Sequence, residues 1–71
     1  MLWLDLPSAA AATVRIFDAL GHEVALLHHG TLPLGKSSFT VPLASLAPGG
    51  YVVRAQAEGM VPISLRLVRL P

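Results

Sequence analysis

The chain has 71 residues, no cysteine and a formal net charge of +1. This length allows one small domain, and without cysteine neither a disulfide nor a thiolate metal site can stabilise it. The basic residues are scattered, whereas nucleic-acid binding usually needs a clustered basic stripe, so no nucleic-acid partner is predicted. Charged residues make up only 13% of the chain and hydrophobic residues 54%. Part of the surface is therefore expected to be covered by a partner or by the rest of a longer chain.

The apolar start of the chain does not have the features of a targeting segment. Residues Met1 to Leu6 carry no basic region and are interrupted by Asp5 and followed by Pro7, so they are not predicted to be a signal peptide. No window approaches the roughly 20 apolar residues that a membrane helix requires. No integral membrane segment is expected.

Short apolar runs separated by glycine and proline indicate an all-β chain. Residues Ala9–Ala12 favour a helix by propensity, but four residues are too few to sustain one, so a connector is predicted there. Gly21 suits the tight reversal between the second and third strands. In chain order, the predicted strands are Leu2–Leu6, Thr13–Ala19, Glu23–His29, Lys36–Leu43, Tyr51–Ala57 and Pro62–Leu70.

A sheet this poor in polar residues needs both apolar faces covered. Two packed sheets achieve this. The sequence therefore predicts one domain over residues 1–71 with a small Ig-like antiparallel β-sandwich of about six to seven strands.

The residues that could carry chemistry are scattered. His28 and His29 are adjacent on a predicted strand, so they point to opposite faces and cannot easily hold one metal ion. The acidic residues occupy turns and strand edges, which does not favour a paired acid–base site. No Gly-x-Ser-x-Gly sequence occurs, and "GTLPLGKSS" lacks the spacing of a phosphate-binding loop. We therefore predict no catalytic residues, no metal site and no cofactor, and hence not an enzyme.

Together the turns resemble a known family. The stretches "VRIFDALGHEVALL", "LPLGKSSFTVPLASLAPGGYVVRAQAEG" and "ISLRLVRL" resemble the C-terminal sorting domain of type IX secretion cargo. The order and spacing of these stretches hold from about Leu2 to Leu70. A related pattern occurs in the Ig-like domain of the flagellar hook-capping protein.

The resemblance assigns roles to particular residues. The turn residues are Asp18, Gly21, Pro33, Gly35, Gly49 and Tyr51, and the residues implied to dock onto a partner are Arg66, Leu67, Val68 and Leu70. Tyr51 is expected to open a buried strand with its hydroxyl reaching a backbone partner. The chain departs from the family pattern at Gly50, where Val or Ile is usual, and at Pro62, which precedes the last strand.

The resemblance implies a non-catalytic module at the end of a larger bacterial protein. It would direct export through the periplasm and across the outer membrane, to the cell surface or the medium, by docking onto a secretion-machinery protein there. Two alternatives remain: a structural Ig-like spacer or assembly module, and a carbohydrate-binding accessory domain in which Trp3 is the exposed platform. Open strand edges also predict strand-mediated self-association.

Overall fold

Six β-strands account for most of the chain, and a computed structural model describes all 71 residues. A single 3₁₀ turn, Leu43–Ser45, interrupts the run of strands. No helix in the structure is long and apolar enough to cross a membrane. The strands are β1 (Leu2–Leu6), β2 (Ala10–Asp18), β3 (Glu23–Leu32), β4 (Gly35–Phe39), β5 (Gly49–Ala57) and β6 (Ile63–Arg69).

The strands form two antiparallel sheets of unequal width. One sheet has four strands in the order β3-β2-β5-β6, and the other contains only β1 and β4. Apolar side chains from both sheets meet in one core. The predicted all-β antiparallel sandwich is confirmed with six strands.

The core lies between the sheets and is centred on β2. Alternate β2 residues face inward because successive side chains of a strand point to opposite sides, and two of them, Val14 and Ile16, are 0% exposed. Leu6 of β1 and Phe39 of β4 cover them from the smaller sheet. The buried set is Leu6, Ala12, Val14, Ile16, Leu32, Phe39, Leu46, Tyr51 and Val53.

The edge strand β3 is irregular. Its register against β2 shifts twice, between Val14 and Arg15 and between Ile16 and Phe17. At these bulges Leu27 and Val24 are the residues of β3 left without a partner in β2. Bulges bend and twist a strand, and an edge strand disrupted in this way is a poor template for pairing with another chain.

Some predicted strand boundaries were wrong. The predicted alanine connector belongs to β2, which begins at Ala10, because these residues pair with Leu32, Thr31 and Gly30 of β3. Pairing on the sheet overrides the helix propensity of alanine. Strand β3 accordingly runs to Leu32 rather than to His29.

The fourth strand is shorter than predicted. It ends at Phe39 rather than Leu43, because the Leu2–Phe39 pair is the last of its ladder with β1. The chain then forms the 3₁₀ turn that the sequence did not predict. Strand β6 begins at Ile63, directly after Pro62, which has no backbone N–H to donate.

We expect Ile16→Ala to lower the free energy of unfolding by about 2–5 kcal/mol, because it leaves a cavity at a fully buried position. That is a large part of the total stability of a domain this small, which is on the order of 5 kcal/mol. Ile63→Ala is the matched control, since Ile63 is 49% exposed, and should cost less than about 1 kcal/mol. Urea unfolding followed by circular dichroism measures both variants. Equal losses would contradict the position of the core.

Candidate docking surface

The turn residues implied by the resemblance fix the backbone. Asp18 ends β2, and its Oδ1 accepts hydrogen bonds from the backbone N–H groups of Leu20 and His22, each at 2.9 Å. Gly21 follows with φ +85°, a conformation that glycine adopts without strain. These two residues close the β2–β3 hairpin as predicted.

The other turn residues surround the ends of β4 and β5. Pro33 is exposed directly after β3, and Gly35 opens β4 with φ +96°. Gly49 opens β5 with φ +150° and pairs with Arg69 of β6. These residues do not come together in one cluster of functional groups. What they determine in the structure is the course of the backbone.

Tyr51 links β5 to the loop before it. Its ring is buried, and its hydroxyl donates a hydrogen bond to the carbonyl of Ala47. A backbone partner for this hydroxyl was predicted from the sequence. The predicted start of the strand at Tyr51 was wrong, because Gly49 and Gly50 already pair with β6. The Arg69 guanidinium donates to the neighbouring carbonyl of Leu46, a contact that was not predicted from the sequence. Alternation along β6 places Arg69 on the same inner face as Leu67, and this alternation could have indicated the contact.

The four predicted docking residues do not form one surface. Leu67 lies opposite Tyr51 and is half-buried on the inner face of the sheet. Arg66 and Val68 point to the outer face, and both are exposed. Leu70 is exposed just beyond the end of β6. The structure therefore brings together only Arg66 and Val68.

Arg66 and Val68 line a depression on the outer face of the four-stranded sheet. Val68 lies opposite Gly50 and Arg66 lies opposite Val52. Because Gly50 has no side chain, the floor of the depression is lower there. We call this depression the outer groove and define it by Phe17, Asp18, Gly50, Val52, Arg54, Arg66 and Val68.

The outer groove has a net positive charge, because two arginines and one carboxylate, that of Asp18, line it. Arg54 pairs directly across the sheet with Arg15 and is a diagonal neighbour of Arg66. The Arg15 guanidinium forms an ion pair with Glu23 at 3.3 Å. No carboxylate forms an ion pair with Arg54 or Arg66. Arg54 and Arg66 are thus left without an ion-pair partner.

The opposite face of β6 is also poorly covered. Leu65 lies opposite Val53 and Ile63 opposite Ala55, so both point toward the core side of the sheet. They are nevertheless 51% and 49% exposed, because the two-stranded sheet does not extend over β6. An apolar crevice beside them, which we call the inner recess, is lined by Leu4, Leu6, Ala55, Ala57, Met60, Val61 and Ile63.

The histidines and carboxylates are dispersed. His28 packs beside Phe39 with ring centroids 5.7 Å apart, and its Nε2 lies 3.1 Å from the Gly30 carbonyl oxygen. His29 is exposed on the other face, as predicted, and His22 lies 3.7 Å from Asp18. No group of three or more histidine or acidic side chains is close enough to hold a metal ion. Trp3 is exposed on β1, and the one ring contact in the chain is that of His28 with Phe39.

We expect Tyr51→Phe to lower the free energy of unfolding by about 0.5–1.5 kcal/mol, the usual net value of one hydrogen bond. The loss should fall at the low end, because Ala47 is exposed and water can take the place of the hydroxyl. Tyr51→Ala removes a buried ring and should cost about 3–5 kcal/mol. Thermal unfolding of the two variants tests this. A Phe variant as unstable as the Ala variant would mean that the hydroxyl, and not the ring, holds the loop.

Similarity to other proteins assigns no function to this surface. Comparisons with protein-family models, with curated proteins and with solved structures find no match for the chain. A function has to be inferred from the geometry of β6 and its neighbours, together with the sequence pattern described above.

Proposed function

We propose that the chain is a non-catalytic docking module. It directs export of a larger bacterial protein across the outer membrane and its attachment at the cell surface, as the resemblance to type IX sorting domains implies. Its partner is a secretion-machinery protein at the outer membrane, which it reaches by way of the periplasm. Strand β6 forms the contact with this partner.

The observation that supports this proposal is the exposure of β6. The strand lies at the edge of its sheet, so one row of its backbone N–H and C=O groups has no partner. Its outer face is open at Val68, which is 60% exposed, and its inner face is open at Ile63 and Leu65. Exposed apolar surface of this kind is characteristic of interaction sites.

A partner strand added alongside β6 explains how such a surface binds. Main-chain hydrogen bonds along the free edge provide affinity, and side-chain sites on both faces provide specificity. The inner face offers the exposed apolar side chains of Ile63 and Leu65, and the outer groove offers Arg66 and Val68. Pro62 lies directly before β6, so the added strand extends from Ile63 toward Arg69.

One observation favours a second candidate, a structural spacer or assembly module. The turn residues Asp18, Gly21, Gly35 and Gly49 shape the backbone in this structure. A chain that resembled the sorting domains only because it has the same fold would keep all of these turn residues. The two candidates differ in whether exposed residues of β6 matter for export.

We expect the double variant Arg66→Gln, Val68→Ser to lose at least about tenfold of its surface delivery, the effect of removing roughly 1.4 kcal/mol of binding energy. The assay uses a periplasmic reporter fused to residues 1–71, expressed in a bacterium with type IX secretion. Both side chains are exposed and neither forms a hydrogen bond or ion pair, so the fold should be kept.

Lys36→Gln is the matched control, because it removes one exposed positive charge from β4, in the other sheet. It should be exported like the unmodified fusion, and both should stay in the periplasm of a strain that lacks the translocon. Normal delivery of the β6 double variant would overturn the docking role of β6. Periplasmic retention of a folded, unmodified fusion would favour the spacer.

A further inference from the structure

Gly50 is not required by the fold. The glycines with positive φ are Gly21, Gly30, Gly35, Gly49 and Gly59, so the backbone at position 50 is open to other residues. A Cβ atom at Gly50 would have no other atom within 4 Å. Glycine inside a strand weakens it and often marks a place where a ligand or another backbone approaches closely. The space above Gly50 is therefore available to a bound group.

The charges around this space are not balanced within the chain. Around the groove, Arg15, Arg54 and Arg66 are positive, and Glu23 and Asp18 are negative. Glu23 pairs with Arg15, and Asp18 accepts hydrogen bonds from the backbone of the β2–β3 turn. Like charges directly opposite each other, as Arg15 and Arg54 are, destabilise a sheet. An anionic partner would relieve this repulsion.

We propose that the outer groove binds an acidic segment of a partner polypeptide. One large apolar side chain of this segment lies over Gly50, against Phe17 and Val68, and its carboxylates pair with Arg66 and Arg54. Arginine binds carboxylates through two parallel hydrogen bonds. The inference deepens the proposed docking function and relies on it for its biological meaning.

The spacing of the groove suggests the pattern of the segment. Along β5, the positions that face the groove are Gly50, Val52 and Arg54, about 6.6 Å apart at each step. Arg66 lies beside the middle position, opposite Val52. An extended peptide along β5 also repeats its side chains every second residue. A large apolar residue followed by acidic residues at the second and fourth positions after it matches the order Gly50, Arg66, Arg54.

A polypeptide fits this groove better than a membrane surface or a nucleic acid. Anionic bilayers are typically bound by clusters of 4–8 basic residues, and nucleic acids by a basic stripe. Here only Arg54 and Arg66 are unpaired, and apolar Phe17, Val52 and Val68 lie between and beside them. A few charged side chains beside an apolar contact area are typical of a protein interface.

The test uses the purified 71-residue chain and a fluorescein-labelled peptide of sequence Phe-Ser-Glu-Ser-Glu. Fluorescence anisotropy measures the affinity, and ¹⁵N chemical-shift changes locate the peptide. We expect binding that weakens with added salt, shifts centred on Gly50, and at least about tenfold weaker binding of the analogue with glutamine in place of glutamate.

Two variants separate binding from folding. Gly50→Val fills the space above position 50 and should weaken peptide binding at least about tenfold. Its melting temperature should stay the same or rise, since valine favours strands and Gly50 has free space around it. Arg54→Gln with Arg66→Gln should abolish the salt dependence of binding. Lys36→Gln, the same charge change on the other sheet, should bind like the unmodified chain.

Several results would overturn the inference. These are equal affinity for the glutamine peptide, unchanged binding by a folded Gly50→Val variant, or shifts located away from the groove. Binding to phosphatidylglycerol vesicles but not to the peptide would also overturn it. Peptide binding and export are scored separately: intact export without peptide binding overturns this inference alone, and peptide binding without export overturns the proposed function alone.

Discussion

The exclusion of Val14 and Ile16 from water is the constraint on which this structure depends. Both side chains come from β2, which has a hydrogen-bonded strand on each side. Only nine side chains are buried in total, so few other contacts can compensate for a fault at the centre. The hairpin closed by Asp18 and the loop tethered by Tyr51 both serve to hold strands next to β2.

The difference in width between the two sheets links this core to function. Two strands are enough to cover β2, but they leave β6 with an open inner face and a free edge. A sandwich that required β6 only for its own stability would gain by covering Ile63 and Leu65. The proposed docking role gives these exposed apolar side chains a use, and the outer groove adds charge to the same strand through Arg66.

Much of the fold could be predicted from the sequence, because alternation and turn residues are local signals. Gly21 was placed correctly in its turn, and the hydroxyl of Tyr51 was correctly predicted to bind a backbone group, although β5 begins at Gly49. The outer groove could not be predicted, because it depends on which residues lie opposite one another across three strands, as Gly50 does with Val68. The predicted docking residues were divided between two faces for a similar reason: Arg66 and Leu67 are neighbours in the chain and so point in opposite directions.

The topology has a further consequence, for the order in which the chain folds. The pairs β2–β3 and β5–β6 are hairpins, which close over short turns, whereas β1 pairs with β4 across the whole β2–β3 hairpin. Closing longer loops costs more entropy and slows folding. The β2–β5 pair that joins the two hairpins closes a loop at least as long as that of β1 and β4. We therefore expect the two hairpins to form first and the β2–β5 and β1–β4 pairs to close last. Until that step, Val14 and Ile16 face solvent, and the rate of this final closure sets how long a newly made chain stays open to misassociation.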